Sequence, residues 1–117
     1  MAITQQIKIL KGTTLKMQIF WDYPSDPAIS LDTVDFYVEY YTNLKQKVTL
    51  RKSDLVREEV VPETGDPFVN WYAYVQTTDL PTGNLMMRLH ASIPDGDAPD
   101  GIKVEYTECS TNVVLYG

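Results

Sequence analysis

The sequence predicts an all-β fold, an antiparallel β-sandwich of the Ig-like or jelly-roll-like kind with seven to eight short strands. Apolar and polar residues alternate along most of the chain, which is the period of a half-buried strand. Turn-forming residues interrupt the alternation roughly every 8 to 12 residues, as in sandwich proteins. The chain has 117 residues, 44% hydrophobic and 22% charged, so we expect a single domain over 1–117.

The strands of the first half each have one apolar side. These sides are Ile3, Gln5, Ile7 and Ile9, then Leu15, Met17, Ile19 and Trp21, then Val34, Phe36, Val38 and Tyr40. Residues 11–14 turn the first strand into the second, and the two prolines in 22–27 indicate a loop because proline removes a donor from the strand ladder. Residues 47–50 predict a short strand, and 53–56 begin either a turn of helix or another edge strand.

The second half alternates more clearly. Strands are predicted at 68–76 and 85–93, and the loops at 62–67, 79–84 and 94–101 are rich in Pro, Gly and Asp. The apolar sides are Val69, Trp71, Ala73 and Val75, then Leu85, Met87, Leu89, Ala91 and Ile93. A last pair of strands follows, marked by Ile102, Val104 and Tyr106 and then by Val113 and Leu115. Both tryptophans lie on apolar sides, so we expect them in the core.

The net charge of −6 is unevenly distributed. Residues 1–58 carry eight Lys and Arg against seven Asp and Glu, whereas 59–117 carry two against nine. The basic residues cluster in the middle, at Lys45, Lys47, Arg51, Lys52 and Arg57. Acidic neighbours and the lack of interleaved aromatic residues argue against nucleic-acid binding. Two interpretations stay open: a solvated loop or edge strand, or a basic surface that faces the acidic surface of the next copy.

Membrane insertion, secretion and disulfide bonding are not expected. No apolar run approaches the roughly 18 residues that span a bilayer, and the first ten residues lack the basic and apolar regions of a signal peptide. Cys109 is the single cysteine, so no disulfide forms within one chain.

The sequence carries no catalytic pattern, and we expect neither an enzyme nor a bound cofactor. His90 is the single histidine and lies on the outward side of a predicted strand, where a solvated or interface role fits better than catalysis or pairing with Cys109. Phosphate-binding glycine motifs are absent. Asp95, Asp97 and Asp100 provide carboxylates for a weak calcium candidate, but the same Asp and Gly composition is typical of a structured turn. No metal site is favoured.

Tyrosines are the remaining candidates for a binding surface. The chain has eight of them, and Tyr37, Tyr41, Tyr72 and Tyr74 fall on sides opposite the apolar ones. Such residues either stabilise an exposed sheet or contact a partner. We name as candidate interface residues Tyr37, Tyr41, Tyr72, Tyr74, Lys45, Lys47 and Arg51.

Two segments of the second half carry a family resemblance. Residues 71–86 read WYAYVQTTDLPTGNLM and residues 93–101 read IPDGDAPDG. This succession of strand, turn, strand and loop resembles small β-sandwich modules of virion structural proteins from tailed phages and prophages of Bacteroidetes, including the crAss-like phages. It is more distantly similar to the N-terminal domain of phage baseplate upper proteins. The resemblance covers residues 68–116, and the first half matches in strand pattern and in its DYPSDP loop.

The resemblance implies a virion component, namely a head-fibre, head-decoration or tail-adaptor subunit. Its partners would be further copies of itself and capsid or tail proteins, and it would be assembled in the host cytoplasm. Related fibre proteins continue into a longer chain, so an end at Gly117 predicts an adaptor, decorating or fibre-base subunit. The alternative is a carbohydrate-binding or adhesin-type sandwich that uses the exposed tyrosines.

Overall fold

The structure is a computed structural model, and it describes residues 6–117. The strands of this part of the chain are β1 (Ile7–Leu10), β2 (Thr14–Ile19), β3 (Asp35–Asn43), β4 (Gln46–Arg51), β5 (Val56–Val60), β6 (Phe68–Gln76), β7 (Gly83–Pro94) and β8 (Ile102–Tyr116). One turn of 3-10 helix, Lys52–Asp54, connects β4 to β5. No helix within the described residues is long and apolar enough to cross a membrane.

The strands form two sheets, which confirms the all-β sandwich class. The five-stranded sheet has the order β1-β8-β7-β3-β4, and the three-stranded sheet has the order β2-β6-β5. All neighbours are antiparallel except β1 and β8, which run parallel. The strands β7 and β8 have 12 and 15 residues, so they are longer than the short strands that the sequence predicts.

The core lies between the two sheets and is built by most of the predicted apolar sides, but Ile7 of the first strand is 56% exposed. Val38, Val75, Leu85 and Leu89 have no exposed surface. Trp71 is buried and meets Phe36 edge to face, with ring centroids 5.5 Å apart. Trp21 is half-buried against the same cluster. Burial of these side chains is the main favourable contribution to the fold.

The loop between β2 and β3 is held to the three-stranded sheet by Asp32. The Asp32 carboxylate accepts hydrogen bonds from Arg57 Nε at 3.0 Å, Arg57 Nη2 at 3.1 Å and Trp71 Nε1 at 3.0 Å. The hydrogen bond from Arg57 is the main cause that holds the pKa of Asp32 below its usual value; burial opposes it, and the Trp71 bond and the nearby positive charges add to it. Leu31 and Val34, which lie next to Asp32 in this loop, are both buried.

The turn between β1 and β2 is tied to the end of β6 by Thr77. Gly12 N–H donates to Thr77 Oγ1 at 2.9 Å, and the Thr77 hydroxyl donates to the carbonyl of Thr13 at 2.7 Å. Gly12 has a φ of 102°, a conformation that favours glycine. The turn does not make a hairpin: β1 and β2 belong to different sheets, so the chain crosses between the layers here.

The end of the chain differs from the predicted pair of strands. β8 is one continuous strand with a bulge, because Leu85 lies opposite Val113 while Met86 lies opposite Ser110. The two extra residues are Thr111 and Asn112, and Asn112 has a φ of 61°. The signals for an interruption in the sequence therefore mark a bulge in one strand.

The bulge does not change which side of the sheet alternate residues of β8 face, because it adds two residues and side chains alternate with period two. Val113 and Leu115 face the core and are buried. On the other side of the bulge, the residues that point towards the core side are Lys103, Glu105, Thr107 and Cys109. Ile102, Val104 and Tyr106 therefore point outward, with exposed fractions of 49%, 52% and 65%.

The middle of the chain contains both alternatives that the sequence leaves open. The segment predicted as helix or strand forms the 3-10 turn Lys52–Asp54 and then the edge strand β5. The expected strand at 47–50 corresponds to β4. The first strand is predicted to include Ile3 and Gln5, which lie outside the described residues.

Candidate interaction surface

The outward side of the five-stranded sheet carries a connected set of polar and aromatic side-chain contacts. The strand register places Arg51, Tyr37, His90 and Tyr106 side by side across β4, β3, β7 and β8. The next row contains Thr49, Glu39, Arg88 and Glu108. We call this side the outer face, and it combines side chains from strands that are far apart in sequence.

An aromatic row crosses the middle of the outer face. The Tyr37 ring stacks on the His90 ring, with centroids 4.3 Å apart and an angle of 11°. Tyr106 packs edge to face against His90, with ring centroids 4.4 Å apart and an angle of 75° between the rings. His90 is covered by its two neighbours, while Tyr37 and Tyr106 remain accessible at 39% and 65%. Burial, and next the charge of Glu39, raise the pKa of Tyr37.

Glu39 connects this row to the basic edge strand. Its carboxylate lies 2.5 Å from His90 Nε2 and 3.3 Å from Lys47 Nζ, and its side chain is 11% exposed. Burial acts to raise the pKa of Glu39, but the hydrogen bonds and charges of His90 and Lys47 outweigh it and hold the pKa below its usual value. His90 therefore donates from Nε2, and its buried Nδ1 has no partner within residues 6–117.

A second ion pair borders the row on the β8 side. Arg88 Nη2 lies 2.6 Å from Glu108 Oε2, and Arg88 Nε donates to the same oxygen at 3.1 Å. The Tyr41 hydroxyl also donates to Glu108, and the Arg88 guanidinium lies 5.4 Å from the centre of the Tyr41 ring. Burial first, and then the hydrogen bond to Glu108, raise the pKa of Tyr41. The same hydrogen bond and the Arg88 contacts lower the pKa of Glu108.

The predicted tyrosines do not form one surface. Tyr37 and Tyr41 lie on the outer face, but Tyr41 is 5% exposed and is covered by Arg88. Tyr72 and Tyr74 lie on the opposite side of the molecule, on the outward side of the three-stranded sheet. Lys16 Nζ lies there at 4.3 Å from the Tyr72 ring centre and 6.0 Å from that of Tyr74.

Most of the predicted basic cluster interacts within its own chain. Lys47 pairs with Glu39, and Arg57 pairs with Asp32. Lys52 Nζ donates to the carbonyl of Val34 at 2.7 Å. Lys45 lies in the turn after β3, and Arg51 borders an open depression of about 860 Å³ that Tyr37 and Glu39 also line. These internal contacts reduce the positive charge available to a neighbouring copy.

The aspartate-rich loop is a hydrogen-bonded turn. Asp95 N–H donates to the carbonyl of Gly101 at 2.9 Å, and Asp97 N–H donates to the Asp95 carboxylate at 3.0 Å. Gly101 has a φ of 74°. Among residues 6–117, neither Asp95, Asp97 and Asp100 nor any other three metal-ligating side chains lie together in a way that could hold a metal ion.

His90 and Cys109 lie on opposite sides of the five-stranded sheet. Cys109 is opposite Met87 in the register and borders a groove of about 330 Å³ between the sheets, together with Met17 and Phe20. Burial, with a further contribution from Glu108, raises the pKa of its thiol. The structure therefore does not bring the cysteine and the histidine together.

Sequence reasoning missed Glu39, Arg88, Tyr106 and Glu108 as members of this surface. Glu39 and Arg88 already fall on outward sides of predicted strands, so the signal is present in the alternation. Their partners depend on which strands pair, which the sequence pattern does not reveal.

The chain matches no protein-family model, no curated protein and no solved structure.

Proposed function

We propose that this chain is a non-enzymatic structural protein of a phage virion, a head-fibre, head-decoration or tail-adaptor subunit that works through protein–protein contacts. Its partners are further copies of itself and capsid or tail proteins, and it is assembled in the host cytoplasm. The virion assignment is supported by the resemblance over residues 68–116. That range contains the whole of β6, β7 and β8, and so it includes both His90 and Tyr106 of the aromatic row.

One observation carries the proposal for a contact surface: the outer face presents accessible apolar and aromatic side chains beside ordered ion pairs. Ile102, Val104 and Tyr106 form a continuous outward strip on β8, and Tyr37 lies across His90 from it. Protein interfaces commonly have an aromatic and apolar centre with a polar border. Contacts with the His90 ring hold Tyr37 and Tyr106 in place before binding, which lowers the entropy lost on association.

Carbohydrate binding is the second candidate, and the exposed Tyr74 is the observation that favours it. A sugar would stack on an open tyrosine ring. However, Lys16 occupies the space over Tyr72, the neighbouring ring on that side of the molecule. Protein contact through the outer face is therefore the better supported function.

The test uses tailed-phage particles produced from the genome that encodes this chain. Mass spectrometry of purified particles is expected to detect the chain in a reproducible copy number. Particles lacking the chain are then mixed with the purified protein, and binding is measured by co-sedimentation. We expect Tyr106→Ala to weaken binding at least about tenfold, as for a central aromatic interface residue.

Tyr74→Ala is the matched control, because Tyr74 is also an exposed strand tyrosine but lies on the opposite side. It should leave binding unchanged. Absence of the chain from purified particles would overturn the virion proposal. Equal losses in the two variants would overturn the outer face as the contact surface, and glycan binding that Tyr74→Ala abolishes would favour the second candidate.

A further inference from the structure

β8 has a long edge that no strand of the described residues covers. On one side, β8 pairs with β7 from Ile102 to Leu115. On the other side, it pairs with β1 only from Val113 to Tyr116. Residues 102–112 therefore lack a paired strand on that side within 6–117. An uncovered edge presents a row of backbone donors and acceptors to which another strand can pair.

The outer end of this edge has only part of the usual protection against pairing, because its two inward-pointing charges, Lys103 and Glu105, are of opposite sign. Natural edge strands are commonly short, bulged or interrupted by proline, or are protected by lysines and inward-pointing charges. Here the outward residues of 102–106 are Ile102, Val104 and Tyr106, which are about half exposed or more and which favour strands. The bulge lies further along, at Thr111 and Asn112, and leaves 102–106 regular.

We propose that this edge pairs with the same edge of a second copy, antiparallel, about a two-fold axis at Val104. The inference rests on the proposed function in one respect, namely that the chain acts by contact between protein surfaces. A two-fold axis makes the contact self-complementary, because each strand presents the same residues to the other. The two five-stranded sheets then join edge to edge.

Charge complementarity supports both the partner and the register. In this register Lys103 of one copy lies opposite Glu105 of the other, and the pair occurs twice. A two-fold axis at Lys103 or at Glu105 would instead place identical charges opposite each other, which is unfavourable in a strand pair. An axis at Tyr106 would leave Lys103 and Glu105 without opposite charges and would set Val104 against Glu108.

The apolar side chains also match in this register. Ile102 lies opposite Tyr106 of the second copy, and Val104 lies opposite Val104. Aromatic and β-branched pairs of this kind stabilise neighbouring strands. Since both outer faces lie on one side of the joined sheet, the aromatic rows of the two copies form one longer surface. The dimer therefore leaves the rest of the outer face, including Tyr37 and the two ion pairs, available for a further virion partner.

Sedimentation-velocity and light-scattering measurements on the purified full chain test the proposal. A single strand pair is a small interface, so we expect a reversible dimer with a Kd on the order of 10 to 100 µM. Lys103→Glu and Glu105→Lys should each weaken the dimer roughly tenfold, since each places two like-charged pairs across the axis.

Two rescue experiments separate contacts between copies from contacts within one chain. The charge-swapped variant with both Lys103→Glu and Glu105→Lys should dimerise like the wild type. An equimolar mixture of the two single variants should form a heterodimer, because each copy then faces opposite charges. Lys103 Nζ and Glu105 Oε2 lie 3.9 Å apart within one chain, and mixing cannot restore that contact.

A matched pair of lysine substitutions locates the interface. Val104→Lys places two ammonium groups at the axis and should abolish dimerisation. Val56→Lys changes a valine of similar exposure on an edge strand of the other sheet and should not. Melting curves confirm that each variant folds.

A chain that stays monomeric at about 1 mM would overturn the proposed dimer. So would a dimer that still forms with Val104→Lys, or an equimolar mixture of Lys103→Glu and Glu105→Lys that fails to associate. Each of these results concerns the purified chain alone. Loss of particle binding in the preceding test is measured separately, so a failure of the dimer and a failure of the virion role are distinguishable.

Discussion

The strands β7 and β8 are neighbours in one sheet and alternate with the same period, yet only β7 buries its apolar side throughout. The alternating apolar residues of β7, from Leu85 to Ile93, are at most 6% exposed. Those in the first part of β8, Ile102, Val104 and Tyr106, are at least 49% exposed. The difference does not come from the strand geometry, because the two strands pair in regular register over this range.

The difference comes from the side of the sheet that each apolar set occupies. In β8 the apolar residues lie opposite Pro94, Ser92 and His90, the outward residues of β7, so they point away from the three-stranded sheet. The three-stranded sheet covers β3 and β7, whereas the core-side residues of β8 before the bulge are polar or partly exposed, as Glu105 and Thr107 illustrate. Alternation thus identifies a strand with an apolar side, and burial depends on whether that side faces the second layer. An apolar side without a second layer is available to a partner.

The largest expected effect comes from truncating one apolar residue in each of the two strands and comparing the losses of stability. Leu89→Ala removes a fully buried side chain of β7 and should lower the free energy of unfolding by about 2 to 5 kcal/mol. Val104→Ala removes exposed surface of β8 and should change it by less than about 0.5 kcal/mol. Urea denaturation, with the monomer at low concentration, measures both. Equal losses would show that β8 is covered within the chain.

A smaller effect concerns the outward sides of the two strands. β7 places His90 against Glu39, whose pKa is lowered relative to its ordinary value of 4.5. A carboxyl group with a lowered pKa binds fewer protons when the chain is folded, so acid favours the unfolded chain. The contribution of Glu39 is complete above pH 4.5 and is lost as the pH falls through the lowered pKa.

Glu39→Gln should therefore remove about 1 to 3 kcal/mol at pH 7, the cost of losing a charged hydrogen-bond acceptor. Stability measured by urea denaturation from pH 7 to pH 3 should fall less steeply in the variant. Val104→Ala, on β8, should keep the slope of the wild type. Asp32 and Glu108 also have lowered pKa values, so some acid dependence persists. If stability falls equally steeply with pH in Glu39→Gln and in the wild type, Glu39 does not contribute to the acid dependence.

Much of the fold could be predicted from the sequence, because alternation is a local signal. The strand predicted at 68–76 coincides with β6, and that predicted at 85–93 lies within β7. The parallel pairing of β1 with β8 and the bulge at Asn112 depend on contacts far apart in sequence. No local pattern indicates them.

The candidate surface was predictable only in part, for the same reason. The outward position of Tyr37 follows from alternation on β3, and that of His90 follows from alternation on β7. Their stacking depends on the register that sets Tyr37 opposite His90, 53 positions along the chain. Tyr72 also points outward, but it belongs to the other sheet and so lies on the opposite side of the molecule.

The smallest expected effect compares thiols on the core sides of the two strands. Cys109 lies on β8 beside the open groove, and its pKa is raised by burial and by Glu108. Only the thiolate reacts with iodoacetamide. We expect alkylation at pH 8, measured by mass spectrometry, to be roughly three- to tenfold slower than in the urea-unfolded chain.

Met87 is opposite Cys109 on β7 and is 6% exposed, so it provides the matched position. In the variant with Met87→Cys and Cys109→Ser, the single thiol should react only when the chain opens, at a rate that follows unfolding. If both thiols react at the unfolding-limited rate, the second layer covers β8 as fully as β7. If Cys109 reacts directly and Met87→Cys does not, the boundary of the core lies between these two strands.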